Sequence, residues 1–321
     1  MSKKQQNDEN GYVKDPMSDL FTAVLLGDPK NESLLLSYIN SVFLDVGKTP
    51  IVTATLINPF NVKKYATSKS IVLDVHAKDE LGRYYDIEVQ NSYHPYFENR
   101  TLYYWSDQYS SQLMSGMQYP KLRPVISIIL TKFQMFQQLK KRHNVFRITA
   151  QENPEVLLTE DFEMHFLHLA NVSQESIDML EGIHSELRHW LHFFAYGDTL
   201  SEVEMTSITD NDPAIQQAFE QLDRFYANPE LRELDRQRRL ALFDQMVLNM
   251  EIAKAEAKAE AKAEAKAKAG SIIRFLTRRF QHVPQDVCDT LYSLTDIDKL
   301  DRLTDFVADC DSLDEFTPHL R

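Results

Sequence analysis

Two acids, Asp74 and Glu88, sit inside short apolar runs of high strand propensity, IVLDV at 71–75 and YYDIEVQ at 84–90, where a carboxylate is normally disfavoured. Each therefore needs a compensating partner. The runs are joined by a polar turn, KDELG at 78–82, and read together as a β-hairpin. Pairing around that turn places Asp74 opposite the Ile87-Glu88 region, and Gln90 shares a face with Glu88 because the strand period is two. Carboxylates converging on one sheet face call for a divalent cation. An acid, then an acid-x-polar triplet on the next strand, is the layout of a metal-dependent phosphodiesterase site. The expected oxygen ligands are Asp74, Glu88 and the carbonyl of Val89, with Mg²⁺ as the ion and Mn²⁺ or Ca²⁺ as alternatives. Gln90 completes the catalytic set. Its neutral amide can orient a water or a phosphate oxygen, but it offers no positive charge and cannot act as a base at ordinary pH.

The elements that must position these groups follow from the apolar pattern. Residues 19–26 and 31–44 read as helices, with Asn31 as an N-cap. IVTATLI at 51–57 reads as a strand that Asn58-Pro59 ends. The two site strands come next, then a long helix at 97–117. PVISIIL at 124–130 has the continuous apolar character of a buried strand. Further on, DFEMHFLHL alternates Phe162, Met164 and Phe166 with Glu163 and His165, and is expected to add a strand.

With these residues in place, LDVHAKDELGRYYDIEVQ resembles the signature of the Rpn family of PD-(D/E)XK nucleases, often named PD-(D/E)XK family transposases. The resemblance spans roughly 15–133. It includes Asp19-Leu20-Phe21 and LLLSYIN at 34–40 upstream, and Arg100, Tyr104, Tyr109, Gln112, Gly116 and Tyr119 downstream. It implies an α/β fold with the αβββαβ restriction-endonuclease-like core, a mixed sheet flanked by helices. It also implies the ligand set Asp74, Glu88 and the Val89 carbonyl. Gln90 stands where the wider superfamily usually has lysine, as it commonly does in the Rpn family. Many PD-(D/E)XK sites add an acid from the first helix, for which Asp19 and Glu32 are candidates. A Glu-Leu-Pro-Lys segment often found in the family is replaced here by His168-Leu169-Ala170-Asn171.

Composition bounds the alternatives. The chain has 321 residues, enough for two or three units, and 43% of them are hydrophobic. No apolar run approaches the about 18 residues of a membrane span. The polar first residues lack the apolar core of a secretory signal, so a cytoplasmic protein is expected. Two cysteines, Cys288 and Cys310, are too few for a disulfide framework or a thiolate zinc site. The net charge is −13, but it is unevenly spread. In 91–150, basic residues including Arg100, Lys121, Arg123 and Lys132 outnumber the acids Glu98 and Asp107, whereas 151–230 has only Arg188 and Arg224 against many acids. DNA would be drawn to the basic part beside the proposed site, with Arg100, Lys121 and Arg123 as contacts. An ordinary solvated surface is the alternative. Arg100 could instead pair with Asp86 or Glu98. Tyr104, Tyr109 and Tyr119 are expected to pack the helix on the sheet rather than stack on bases. His165, His168, His184, His189 and His192 read as packing or surface residues, because no acids are arranged with them in the sequence as metal partners.

The expected organisation is a disordered N-terminus at 1–14, a nuclease domain with helical extension at 15–230, a long charged helix at 231–270 and a small helical domain at 271–321. Helices are expected at 177–195 and 213–226. In the Ala-Lys-Ala-Glu repeat, like charges recur four apart and opposite charges lie two apart, out of reach. It reads as a semi-rigid helical spacer that Gly270 stops. Three functions stand: a Mg²⁺-dependent DNA endonuclease of low sequence specificity, an inactive nucleic-acid-binding relative, and an assembly protein forming homo-oligomers through the charged helix or C-terminal domain. For the first, the resemblance implies roles in recombination, mobile elements or defence against foreign DNA.

Overall fold

The structure, a computed structural model, describes residues 14–60, 74–93, 95–114, 116, 118–169, 182–200 and 212–320. Residues 1–13 of the segment expected to be disordered at 1–14, the strand residues 71–73 and the helix start at 177–181 lie outside them. The chain divides into two compact units, 1–239 and 240–321.

The first unit opens with helices α1 (Asp19–Gly27) and α2 (Glu32–Asp45). Strands β1 (Thr55–Leu56), β2 (Val75–Lys78) and β3 (Tyr84–Gln90) follow. Then come helix α3 (Phe97–Ser110) and strands β4 (Val125–Thr131), β5 (His143–Phe146) and β6 (Phe162–His168). Helices α4 (Ser185–Tyr196) and α5 (Pro213–Ala227) precede α6 (Pro229–Phe280), which continues into the second unit. The sheet order is β1-β2-β3-β4-β6-β5. β3, β4 and β6 run parallel, and β1, β2 and β5 are antiparallel to their neighbours. This is the mixed sheet flanked by helices expected of the αβββαβ core.

Alternation assigns the two faces. Tyr85 and Ile87 of β3, Ile126, Ile128 and Leu130 of β4, and Leu167 of β6 join residues of α1, α2, α4 and α5 in the main core. Tyr38, Trp190 and Phe194 meet there ring to ring. On the other face, Phe97 and Trp105 of α3 pack with Ile129, Phe162, Met164 and Phe166. Burying each large apolar side chain stabilises the fold by roughly 2–3 kcal/mol. The central strand β4 is buried along its whole length because both faces are covered.

Four local departures from the expectations have physical reasons. The run at 51–57 pairs as a strand only at Thr55–Leu56, because the Glu80 carboxylate takes the backbone N–H groups of Val52 and Thr53. Helix α3 stops at Ser110 rather than reaching 117. Gln112 turns away to hold the backbone of Arg123, donating to its carbonyl at 3.0 Å and accepting from its N–H at 2.8 Å. β5 was not anticipated. Its His143 is buried beneath two neighbours, with Nδ1 2.6 Å from Asp45 Oδ2 and Nε2 2.8 Å from His165 Nδ1. His165 Nε2 is in turn 2.7 Å from Glu163 Oε1, which also meets Lys48. His165 thus has an acid partner after all, Glu163 two residues before it on β6, and is linked through His143 to Asp45, far away in the chain. Finally, α6 passes straight through Gly270 to Phe280 and ends at Gln281, whose φ of 65° is the left-handed stop.

The reason for that continuation lies in the second unit. Ala265, Ala269, Ile272 and Leu276 of α6 form its buried stripe. They pack with α7 (Gln285–Ser293), α8 (Ile297–Asp309) and α9 (Leu313–Phe316). A glycine in mid-helix costs about 1 kcal/mol, less than this packing returns. Among the described residues, no helix is long and apolar enough to cross a membrane.

Candidate active site

The hairpin is fixed at its turn by one buried acid. Asp79 Oδ1 accepts from the N–H groups of Leu81 and Arg83, and Oδ2 accepts from Arg83 Nε at 2.6 Å and Tyr85 OH at 2.9 Å. Gly82 adopts a φ of 82°, which a side chain would strain. The resulting register pairs Val75 with Ile87 and His76 with Asp86. One step further, Asp74 comes opposite Glu88. Asp74 itself precedes β2, and its backbone is clamped by Asn58: Nδ2 donates to the Asp74 carbonyl at 2.9 Å, while Oδ1 accepts from His76 N–H at 2.7 Å.

At the other end of β3, Asn91 Nδ2 donates to the Met17 carbonyl at 2.7 Å, tying the strand to the segment that starts α1. Ser18 caps α1, and Asp19 occupies its first turn. The outcome is a cavity of about 190 Å³ whose walls include Asp19, Asp74, Glu88, Val89, Gln90 and Arg100. Thr22, Tyr104 and Arg238 complete the side-chain lining that polar chemistry could use.

Glu88 is the best-held group. Its Oε1 accepts from Gln90 Nε2 at 2.8 Å and from Arg100 Nη2 at 2.5 Å. Arg100 therefore pairs with Glu88, not with Asp86 or Glu98; Asp86 shares the Glu88 face of β3 but lies 3.2 Å from His76 Nε2 on the neighbouring strand. The Arg100 guanidinium also lies over the Phe97 ring. Burial pushes the Glu88 carboxyl up to about 7, with the charge of Asp74 adding to the effect and Arg100 opposing it. Burial likewise raises Asp74 to about 6, reinforced by Asp86 and opposed by His76 and Arg100. Two carboxyls that resist ionisation together make a site a cation would relieve. The donor chemistry, carboxylate oxygens beside a strand carbonyl, suits a hard divalent ion. Among the described residues no group of three or more His, Cys, Asp or Glu side chains forms a metal cluster, so carbonyl or water oxygens would complete the shell.

The expected residues are not all gathered here. Asp19 lines the cavity, whereas Glu32 points to the Leu56 N–H at 3.5 Å. Lys121 and Arg123 lie just before β4. That is the end of the sheet where Tyr84 pairs with Val125, several residues along β3 from Glu88. Of the three tyrosines, Tyr109 packs as expected, stacked on Trp105 and donating to Asp161 at 2.6 Å. Tyr104 and Tyr119 are exposed. Arg238 and Thr22 were not anticipated. Arg238 is far from every other wall residue in the sequence, and nothing in its local pattern marks it; Thr22 has the weak signal of lying one turn after Asp19.

No curated protein and no solved structure matches this chain. The model of the PD-(D/E)XK nuclease family transposases matches residues 16–255, from just before α1 into α6, which includes every wall residue of the cavity. The chain belongs to that family.

Proposed function

We propose that the protein is a divalent-metal-dependent DNA endonuclease, with Mg²⁺ as its ion and little dependence on base sequence. The observation that carries this reading is the meeting of Asp74, Glu88, the Val89 strand position and Gln90 on one solvent-accessible cavity, with both acids raised in pKa. A bound divalent ion would supply charge neutralisation at the phosphate and a more acidic water. Asp74, Glu88 and the Val89 carbonyl would hold it, with water oxygens completing the shell, because Asp19 is engaged by Arg238 at 2.9 Å. Gln90 orients Glu88 through its Nε2 and keeps its own carbonyl oxygen to accept from a water. Arg100 keeps Glu88 in place and brings positive charge to the wall a phosphate would meet. Lys121 and Arg123, away from the cavity, would contact the duplex beyond the cleaved bond. Recombination, mobile elements and defence against foreign DNA are the settings the family suggests, and a cytoplasmic location accords with them.

The test is incubation of supercoiled plasmid with and without Mg²⁺, beside Asp74→Ala. Metal-dependent nicking by the native chain, reduced roughly a thousandfold or more in the variant, equivalent to about 4 kcal/mol of barrier, is the expected result. DNA binding with no metal-dependent cleavage would support an inactive nucleic-acid-binding protein instead.

Assembly is a second reading with its own observation. Leu240, Phe243, Val247 and Met250 recur at intervals of three and four on α6 and are exposed. Such spacing forms the seam of paired helices, so a second copy of this chain is the partner it fits. Phe243→Glu should lower the mass in solution to that of a monomer.

A further inference from the structure

We infer that Arg238, supplied by the helical extension rather than by the αβββαβ core, is a phosphate-binding residue of the cavity. The inference rests on the nuclease reading above.

The start of α6 is anchored without it. Asp235 is fully buried; it accepts from Ser18 Oγ, from Tyr226 OH at 3.2 Å and from Arg239 at 2.9 Å. Arg236 turns to Glu233 on the exposed side. Arg238, three positions after Asp235, is the arginine of this cluster that reaches the cavity. Its Nε donates to Asp19 Oδ2 at 2.9 Å. This single bond fixes the guanidinium plane and leaves both Nη groups for other acceptors, and the side chain remains about a third exposed.

Charge gives the arrangement a purpose. The walls hold three acids, Asp19, Asp74 and Glu88, and two arginines, of which Arg100 is already committed to Glu88. A phosphodiester approaching this cavity needs a cation that is fixed in place, accessible and not consumed by the metal-binding acids. Arg238 meets all three conditions, and a guanidinium fork matches two phosphate oxygens. Asp19 acts as its positioning residue.

The test uses the full chain and Arg238→Gln, which keeps a donor for Asp19 and removes the charge, with Arg238→Lys as the rescue. Duplex affinity is titrated against salt in Ca²⁺, and plasmid cleavage is followed in Mg²⁺. Arg238→Gln should weaken duplex binding about tenfold and reduce the slope of log K against log salt by about one phosphate contact. It should raise KM more than it lowers kcat, and Arg238→Lys should restore the slope. A native-like slope and KM in Arg238→Gln, while the native chain cuts, would overturn the role of Arg238 and leave the nuclease reading intact. A changed melting temperature with an unchanged slope would assign Arg238 to helix docking and also overturn it. A native chain that neither binds nor cuts would defeat both.

Discussion

Arg100 Nη2 of α3 lies 2.5 Å from Glu88 Oε1 of β3, the same oxygen that Gln90 Nε2 reaches at 2.8 Å. Both donors converge on Oε1, and among the described residues Oε2 is left as the remaining acceptor of this carboxylate. Arg100 is thus the main charge holding Glu88 ionisable in a buried setting.

Removing that charge should alter the pH profile. In Arg100→Gln the Glu88 carboxyl rises further above about 7, so the acid limb of cleavage rate against pH moves upward. The loss at pH 6.5 should exceed the loss at pH 9 by about tenfold, one pKa unit's worth. Parallel profiles for the two proteins would contradict this.

The paired acids should burden the metal-free fold. Asp74 and Glu88 have folded pKa values of about 6 and about 7, above their usual values of 3.8 and 4.5. The folded state therefore binds protons more readily than the unfolded chain between pH 4 and 7, and stability falls as pH rises through that window. Asp74→Asn should stabilise the metal-free protein at pH 8 by about 1–2 kcal/mol, and hardly at pH 4. Urea unfolding at both pH values, repeated with Mg²⁺, checks it; added metal should stabilise the native chain more than the variant.

The Asp45-His143-His165-Glu163 chain should respond in the opposite sense. Burial drives His165 down to about 4, below its usual 6.5. Glu163 reaches about 2 because hydrogen bonds and charges from His165 and Lys48 outweigh its burial. Unfolding lets both bind protons, so their contribution is lost as pH falls from 6.5 to 4 for His165, and from 4.5 to 2 for Glu163. His165→Ala should cost roughly 1–3 kcal/mol at pH 7 by removing its buried hydrogen bonds to His143 and Glu163, and should flatten the stability profile between pH 6.5 and 4.5. Denaturant midpoints measured in an Asp74→Asn, Glu88→Gln background keep the site acids from masking the trend.

The hairpin latch is open to a simple comparison. Asp79→Ala removes the acceptor of four hydrogen bonds in a buried turn and should cost about 2–4 kcal/mol, whereas Tyr85→Phe should cost about 1. Cleavage per folded molecule should fall only in the first, where the register that places Asp74 is loosened; equal thermal shifts in the two would argue against the latch.

Much of this arrangement was legible in the residue order because it is local. The Asp79–Gly82 turn and the strand period together placed Asp74, Glu88 and Gln90 on one face, and the apolar run of β4 announced a strand covered on both sides. What escaped notice depends on partners distant in the chain. β5 is short and polar, and reads as a strand only once His143 meets Asp45 and His165. Gly270 looks like a helix end until the C-terminal helices supply a surface for Ala269 and Ile272. Arg238 reaches the cavity because Asp235 docks on Ser18, a relation that no periodicity encodes.

The Glu80 bracket on Val52 and Thr53 bears on solubility. An apolar IVTATLI segment left fully extended at the rim of a sheet would present a row of unpaired amides, a template onto which another chain's strand could add. Here the carboxylate occupies the amides of Val52 and Thr53 and confines β1 to two residues. The hairpin that builds the acidic cavity thereby also guards its own flank against aggregation.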